Sequence, residues 1–216
     1  MTACATCGVY DCRTGVMETA PSHCPMKQHP DVVDTRTIYT DPAVREMARV
    51  AALVESTGYC KWTRVEETMQ FARRMGIKKL GVAYCVGLRR EVRSLHKVLR
   101  ANGFEVSSAC CKTGSIPKAH IGISDAEQVT PGSFEAMCNP VGQAKLMNEA
   151  GTGLNILFGL CVGHDSLFIK YSDSPVTCLV TKDRVLAHNP IGALNCSEGY
   201  YNEALYTRHS DPEAEA

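Results

Sequence analysis

The stretch from Lys79 to Cys111, KLGVAYCVGLRREVRSLHKVLRANGFEVSSACC, decides the fold. Lys79 to Tyr84 reads as a strand. Leu88 to Asn102 places Leu88, Val92, Leu95 and Leu99 at helical spacing. Gly103 turns the chain, and Phe104 to Ala109 reads as a second strand. A crossover of this length makes the two strands parallel. Both strands run into cysteine, at Cys85 and at Cys110-Cys111. In a parallel sheet the carboxyl ends of the strands share one edge, and ligands bind there.

The same pattern continues outward. Leu154 to Leu160 is apolar almost throughout, as a strand covered on both faces requires, and it ends in Cys161. Val176 to Thr181 reads as a fourth strand. Asp41-Pro42 opens a helix over 41–57 with an N-cap and a proline at the first helical position. A second helix is expected over 62–75, with Glu66 and Glu67 in its first turn as a capping or solvated feature. Further helices are expected over 141–149 and 166–171. The expected fold is α/β: three layers, a mostly parallel sheet of about four strands with flanking helices, and an irregular N-terminal metal-binding segment. Residues 1–40 form that segment, 41–206 the α/β domain, and 207–216 a polar, acidic, disordered tail.

The chain has 216 residues, enough to bury a full core. Its 23 Lys and Arg balance 23 Asp and Glu. That balance offers no reason to expect nucleic acid or an anionic membrane as partner. No apolar run approaches the roughly 18 residues of a spanning helix. The N-terminus shows no secretory signal, so a cytoplasmic setting is expected.

Twelve cysteines are the anomaly. Without export, disulfides do not persist in a reducing cytosol, and clustered thiols read as metal ligands or redox groups. Cys60 and Cys178 are expected to act as small core hydrophobes, while Cys196 lies in a polar stretch and remains unassigned. Cys4, Cys7, Cys12 and Cys24-Pro25 stand in a segment poor in apolar residues, where bound metal would supply the folding energy. Four thiolates at such spacing suit an iron–sulfur cubane of the 4Fe–4S type or, alternatively, tetrahedral zinc.

A second quartet has no local motif. Cys85, Cys111, Cys138 and Cys161 are separated by about one strand and one crossover each, so the fold must bring them together. Cys110 is kept apart from the ligand set, because successive side chains of a strand point to opposite faces. Cys138-Asn139-Pro140 starts a helix, a position that favours thiolate. His164 and Asp165, just after Cys161, are candidate catalytic groups or tuners of a cluster, with helix capping the plainer reading for Asp165. The long connection 112–137 offers Lys112, Lys118 and His120 as substrate contacts and is expected to arch over the site. Lys170, Lys182, Asp183, Arg184 and His188 are weaker candidates that would suit an anionic substrate.

Cys138-Asn139-Pro140-Val141-Gly142-Gln143-Ala144, the run Gly159 to Phe168 and the run Lys182 to Pro190 resemble the signatures of a family of unknown function. It is a cysteine-rich family, described as predicted metal-binding and common in anaerobic bacteria and archaea. The resemblance extends to the N-terminal cysteines and Thr63-Arg64-Val65-Glu66-Glu67. It implies metal binding in a prokaryotic cytosol and no particular reaction. A weaker likeness is to the cysteine-rich domain of heterodisulfide reductase, whose single Cys, Cys-Cys pair and later cysteines hold non-cubane clusters. Cys85, Cys110-Cys111 and Cys138 echo that order. Lys112 replaces its glycine, and a closing Cys-x2-Cys is missing.

Three functions follow from these residues. One is an iron–sulfur redox protein or reductase, with a small-molecule substrate or an electron-transfer partner at the strand-end centre. Another is a zinc carrier or sensor without catalysis. The third is a thiol or persulfide sulfur-transfer enzyme with Cys110 or Cys111 as nucleophile.

Overall fold

The computed structural model describes residues 4–207. The tail expected to be disordered lies, apart from Thr207, outside the described residues. The chain divides into two compact units, one running through Tyr59 and the other starting at Cys60.

In the first unit, 3-10 turns at Cys4–Thr6 and Asp11–Arg13 precede two short helices, α1 (Pro25–Gln28) and α2 (Pro30–Val33). A third 3-10 turn, Ile38–Thr40, leads into α3 (Pro42–Gly58). The Asp41 carboxylate accepts from the amides of Ala43 and Val44, and Pro42 takes the first helical position, so α3 begins where its capping residues dictate. Between Cys4 and Thr40 only Ala20 is buried. That segment has no apolar core of its own.

The second unit contains α4 (Arg64–Arg74), β1 (Lys79–Tyr84), α5 (Arg89–Ala101), β2 (Glu105–Cys110) and α6 (Pro140–Glu149). It continues through β3 (Leu154–Phe158), α7 (His164–Tyr171), β4 (Val176–Val180) and the short α8 (Ile191–Asn195) and α9 (Asn202–Tyr206). The sheet has the order β2-β1-β3-β4, and every pairing is parallel.

Alternation along the strands sorts the core into two layers. Leu80, Val82, Leu154, Ile156 and Phe158 pack with Met69 and Ala72 of α4 and Val92, Leu95 and Leu99 of α5. Ala83, Ala109 and Leu157 pack with Ala144 and Met147 of α6 and Phe168 of α7. The result is three layers, helices on both faces of a parallel sheet. Gly81 belongs to the second face because a Cβ there would overlap Asn155 and Met147. Asn155 is itself fixed by hydrogen bonds with Thr152 and Ser172.

The strand order reverses between β1 and β3. One crossover leads from β1 to β2 on one side, and the next returns across β1 to β3 on the other. This is the switch point at which doubly wound sheets bind ligands, beyond the carboxyl ends of the strands.

Local details depart from the sequence reading for identifiable reasons. α4 begins at Arg64 because Thr63 and Glu66 form a reciprocal capping box, which assigns Glu66 to capping. β3 stops at Phe158, where the register with β4 shifts and Gly159 adopts φ 67°. α7 begins at His164 rather than Ser166, because Gly163 at φ 81° serves as the N-cap. Asp165 is therefore inside the first turn, where its carboxylate accepts from the Ser166 amide. Cys60 and Cys178 are exposed and not core residues. Cys60 sits at φ 54° just after α3, and Cys178 lies on β4, an edge strand. Among the described residues no helix is long and apolar enough to cross a membrane.

Candidate functional site

The N-terminal cysteines converge. Cys4, Cys7, Cys12 and Cys24 line one cavity of about 70 Å³ together with His23, Met17 and Ala20. Organic ligands take pockets of roughly 300–1,000 Å³, so this volume suits a small inorganic group. Left-handed backbone at Gly8 (φ 69°) and Tyr10 (φ 58°) reverses the chain between Cys7 and Cys12. Such a conformation is costly for a tyrosine and is typical of functional segments. His23 Nε2 is buried without a hydrogen-bond partner. A buried, unpaired imidazole nitrogen beside four thiols fits a site built for a polar or metallic group.

The strand-end cysteines also converge, through the fold. Cys85 directly follows β1, Cys111 follows β2, Cys138 precedes α6 and Cys161 comes shortly after β3. Backbone bonds hold the four termini together. The Cys111 amide donates to Tyr84 O at 2.8 Å, the Cys85 amide to Phe158 O at 3.2 Å and the Asn139 amide to Cys111 O at 2.7 Å. The amides of His164 and Asp165 donate to Cys161 O, which ties Cys161 to the start of α7.

The run from Cys138 to Gln143 has a physical logic. Asn139 caps α6 by accepting from the Gly142 amide, and Gly142 is bare because a Cβ would strike the Asn139 side chain. Gln143 is fully buried and donates to the carbonyls of Tyr84 and Ala109, joining the ends of β1 and β2. These three residues aim Cys138 at Cys111.

The connection 112–137 contributes to the same end. It folds back on itself through a bridge between Pro117 and Ala136 and bonds from the Lys118 and Met137 amides to Glu135 O and Ile116 O. The Lys118 ammonium pairs with Glu135 at 2.6 Å, and both side chains are half-buried. Lys112 donates to Ala136 O. The segment is thus a stapled excursion that returns Cys138 to Cys111. Of its candidate substrate contacts, Lys118 is engaged by Glu135, His120 is exposed on a 3-10 turn, and Lys112 lies near Cys138.

Electrostatics at this edge favour thiolate. Cys85 is held down to about 5, first because the Cys111 thiol donates to it, then by the Gly87 amide and the Lys182 ammonium, against the effect of burial. Cys138 is held down to about 6 by the Cys111 thiol and by Lys112 and His164, again against burial. Cys111, flanked by Cys138 and Cys85 and itself buried, is pushed well above the ordinary thiol range. The Val86 amide also points at its sulfur, at 3.4 Å. Arg184 donates to Cys161 Sγ at 3.1 Å, and its own proton is held more tightly by Cys161, Cys85 and Cys138. Lys182 Nζ and Cys85 Sγ crowd Gly87, 3.3 and 3.8 Å from where a Cβ would stand. The thiols are therefore ringed by cations and amide donors.

Cys110 packs against the same apolar cluster as Cys85, Cys111 and Cys138 and is half-buried. The Asp183 carboxylate accepts from the amides of Val185 and Leu186, and His188 Nδ1 accepts from the Asp183 amide. Asp183 and His188 thus shape the loop that presents Arg184. The sequence reading missed His23, which only its place next to Cys24 hints at. It ranked Arg184 low because the contact with Cys161 spans a whole strand and helix.

Among the described residues no three His, Cys, Asp or Glu side chains are close enough to hold a single metal ion. Thiolates around one tetrahedral zinc, about 2.3 Å from the metal, lie about 3.8 Å apart. Within the strand-end quartet the Cys111 thiol is in hydrogen-bonding contact with both Cys85 and Cys138.

The family described as "Protein of unknown function (DUF1847)" matches residues 24–179. The match includes Cys24 and all four strand-end cysteines, while Cys4, Cys7 and Cys12 precede it. An uncharacterized protein of Methanocaldococcus jannaschii is 48% identical over 149 residues, 69% of this chain and 75% of the relative. No solved structure matches the chain.

Proposed function

The chain belongs to the DUF1847 family of proteins of unknown function, and we propose that it is an iron–sulfur protein with two cysteine-ligated centres. Cys4, Cys7, Cys12 and Cys24 would hold one 4Fe–4S cluster, and Cys85, Cys111, Cys138 and Cys161 the other. The strand-end centre serves a redox or reductase reaction on a small molecule, or passes electrons to a partner. One observation carries this reading: Cys85, Cys111, Cys138 and Cys161 meet at the switch point of a parallel sheet, ringed by Lys112, Lys182 and Arg184.

A cluster bound there would supply reversible one-electron transfer. The protein residues supply the rest. The lowered values of Cys85 and Cys138 favour ligation, which requires the remaining thiol protons to leave. Lys182 and Arg184 offset the negative charge that four thiolates bring. His164, whose charge acts on Cys138, would be the proton donor. Asp165 is engaged at the start of α7. In the first unit, four thiols would satisfy a cubane, and the unpaired His23 Nε2 would be free to hydrogen-bond a sulfur.

Zinc carriage is the alternative, and metal analysis separates the two. Sulfur transfer through Cys110 or Cys111 is the third reading; burial of Cys111 weighs against it as the attacking group, while Cys110 is half-buried. Anaerobic purification followed by visible absorbance and iron, sulfide and zinc analysis tests the proposal. Brown protein with matched iron and sulfide supports it, and colourless zinc protein rejects it.

A further inference from the structure

The zero net charge of the chain conceals a strong local imbalance. From Arg73 to Arg100 there are nine Lys and Arg residues and one acid, Glu91, so this stretch carries +8 and the rest of the chain −8. Half of the excess lies on α5, where five Lys and Arg residues face one acid, Glu91. Arg89, Arg93, Lys97 and Arg100 follow at helical spacings of four, four and three, which places them on one face. All four are exposed, while Val92, Leu95 and Leu99 bury the opposite face in the core. Among the described residues no ion pair engages any of the four. Arg89 reaches only the Val86 carbonyl, at 3.5 Å.

Like charges at i and i+4 repel and weaken a helix. The stripe stands against that repulsion, which an anionic partner would relieve. It is about 16 Å long, and one end is the functional edge of the sheet. α5 follows Cys85 through the 3-10 turn Val86–Leu88. There Lys182 stands beside Gly87 and Cys85, and Arg184 contacts Cys161. Positive charge therefore runs along α5 up to the strand-end thiols.

We propose that the exposed face of α5 is a docking surface for an acidic protein that carries electrons to or from the strand-end centre. This rests on the iron–sulfur reading of that centre and extends it by naming the chemistry of the partner. The stripe offers no aromatic side chain on which a nucleic-acid base would stack, and the −8 borne by the rest of the chain opposes a long polyanion. A compact acidic patch on a folded protein matches a short basic face that leads to a redox edge. Charge arranged in this way acts mainly on the association rate and on its salt dependence.

The test uses the full chain, purified anaerobically, with an acidic bacterial ferredoxin as probe. Calorimetry measures binding at about 10 mM and about 150 mM salt, where the screening length falls from about 30 Å to about 8 Å. Stopped-flow absorbance follows reduction by the reduced ferredoxin, with dithionite as a small-molecule control. Binding is expected at low salt and is expected to fade at high salt. The triple variant R89E/R93E/K97E should lower the association rate at least about tenfold. R89Q/R93Q/K97Q should lower it by less, K145E on α6 should leave it unchanged, and the dithionite rate should stay the same throughout. The proposal is overturned if the wild-type chain shows no salt-sensitive binding or if the charge-reversed variant binds as the wild type does. It is also overturned if a DNA or RNA duplex binds more tightly than the ferredoxin and loses that binding in the same variant. The calorimetric result is read whether or not the chain carries iron. A colourless protein would therefore reject the iron–sulfur reading while the docking surface is still scored.

Discussion

The two cysteine quartets are assembled in opposite ways. Cys4, Cys7, Cys12 and Cys24 are near neighbours in sequence, set in turns with almost nothing buried around them except Ala20. Cys85, Cys111, Cys138 and Cys161 are far apart in sequence and are placed by the sheet, with Cys85 and Cys111 themselves buried in its core. In the first unit a bound group would organise the chain; in the second the chain organises the site. The surroundings differ in the same sense. Lys182, Arg184 and the Val86 amide are directed at the strand-end sulfurs, whereas Lys27, the lysine just after Cys24, donates to the Ala20 carbonyl.

Metal removal should separate the two most sharply. Structural metal contributes on the order of 10 kcal/mol to small metal-dependent folds. Stripping it should abolish hydrogen-exchange protection over residues 4–40 and leave β1, β2 and β3 protected. Protection retained over 4–40 in metal-free protein would show that the first unit folds unaided. The next largest effect is on metal content. Cys24→Ser and Cys161→Ser should each halve the iron, and only the former should loosen the first unit. If either change removes all the iron, the two centres are not independent.

A smaller effect isolates the scaffold. Gly81→Ala forces a Cβ into Asn155 and Met147. It should cost about 1–3 kcal/mol in denaturant unfolding of the second unit, with the N-terminal metal content unchanged. The most delicate test concerns tuning. Cations and hydrogen bonds to sulfur raise a cluster's potential, so the strand-end centre should be reduced first in a titration. Arg184→Met, which removes the donor to Cys161, should move that centre to more negative potential and leave the other in place. Equal shifts in both would break the assignment.

The β–α–β unit was legible because Val92, Leu95 and Leu99 mark a helix between two strands, and the cysteines at the strand ends pointed to the edge proposed as the site. Other features depended on information that pattern alone does not carry. The start of α7 depends on Gly163 adopting a left-handed conformation. Cys178 looked like a core residue because it sits among Val, Thr and Leu, but among the described residues no strand pairs with the outer side of β4. His23 carries no spacing signal, and only its place in the cavity singles it out. The basic face of α5 is plain in the residues themselves but vanishes in a net charge of zero. Arg184 reaches Cys161 only once the Asp183–His188 turn is formed.

The convergence of two thiol quartets is tested most directly by counting iron and acid-labile sulfide in anaerobically purified protein. The account predicts about four of each per centre, about eight per chain, falling by half when Cys161 is replaced by serine. Colourless protein holding zinc alone, or iron unchanged by Cys161→Ser, would contradict it.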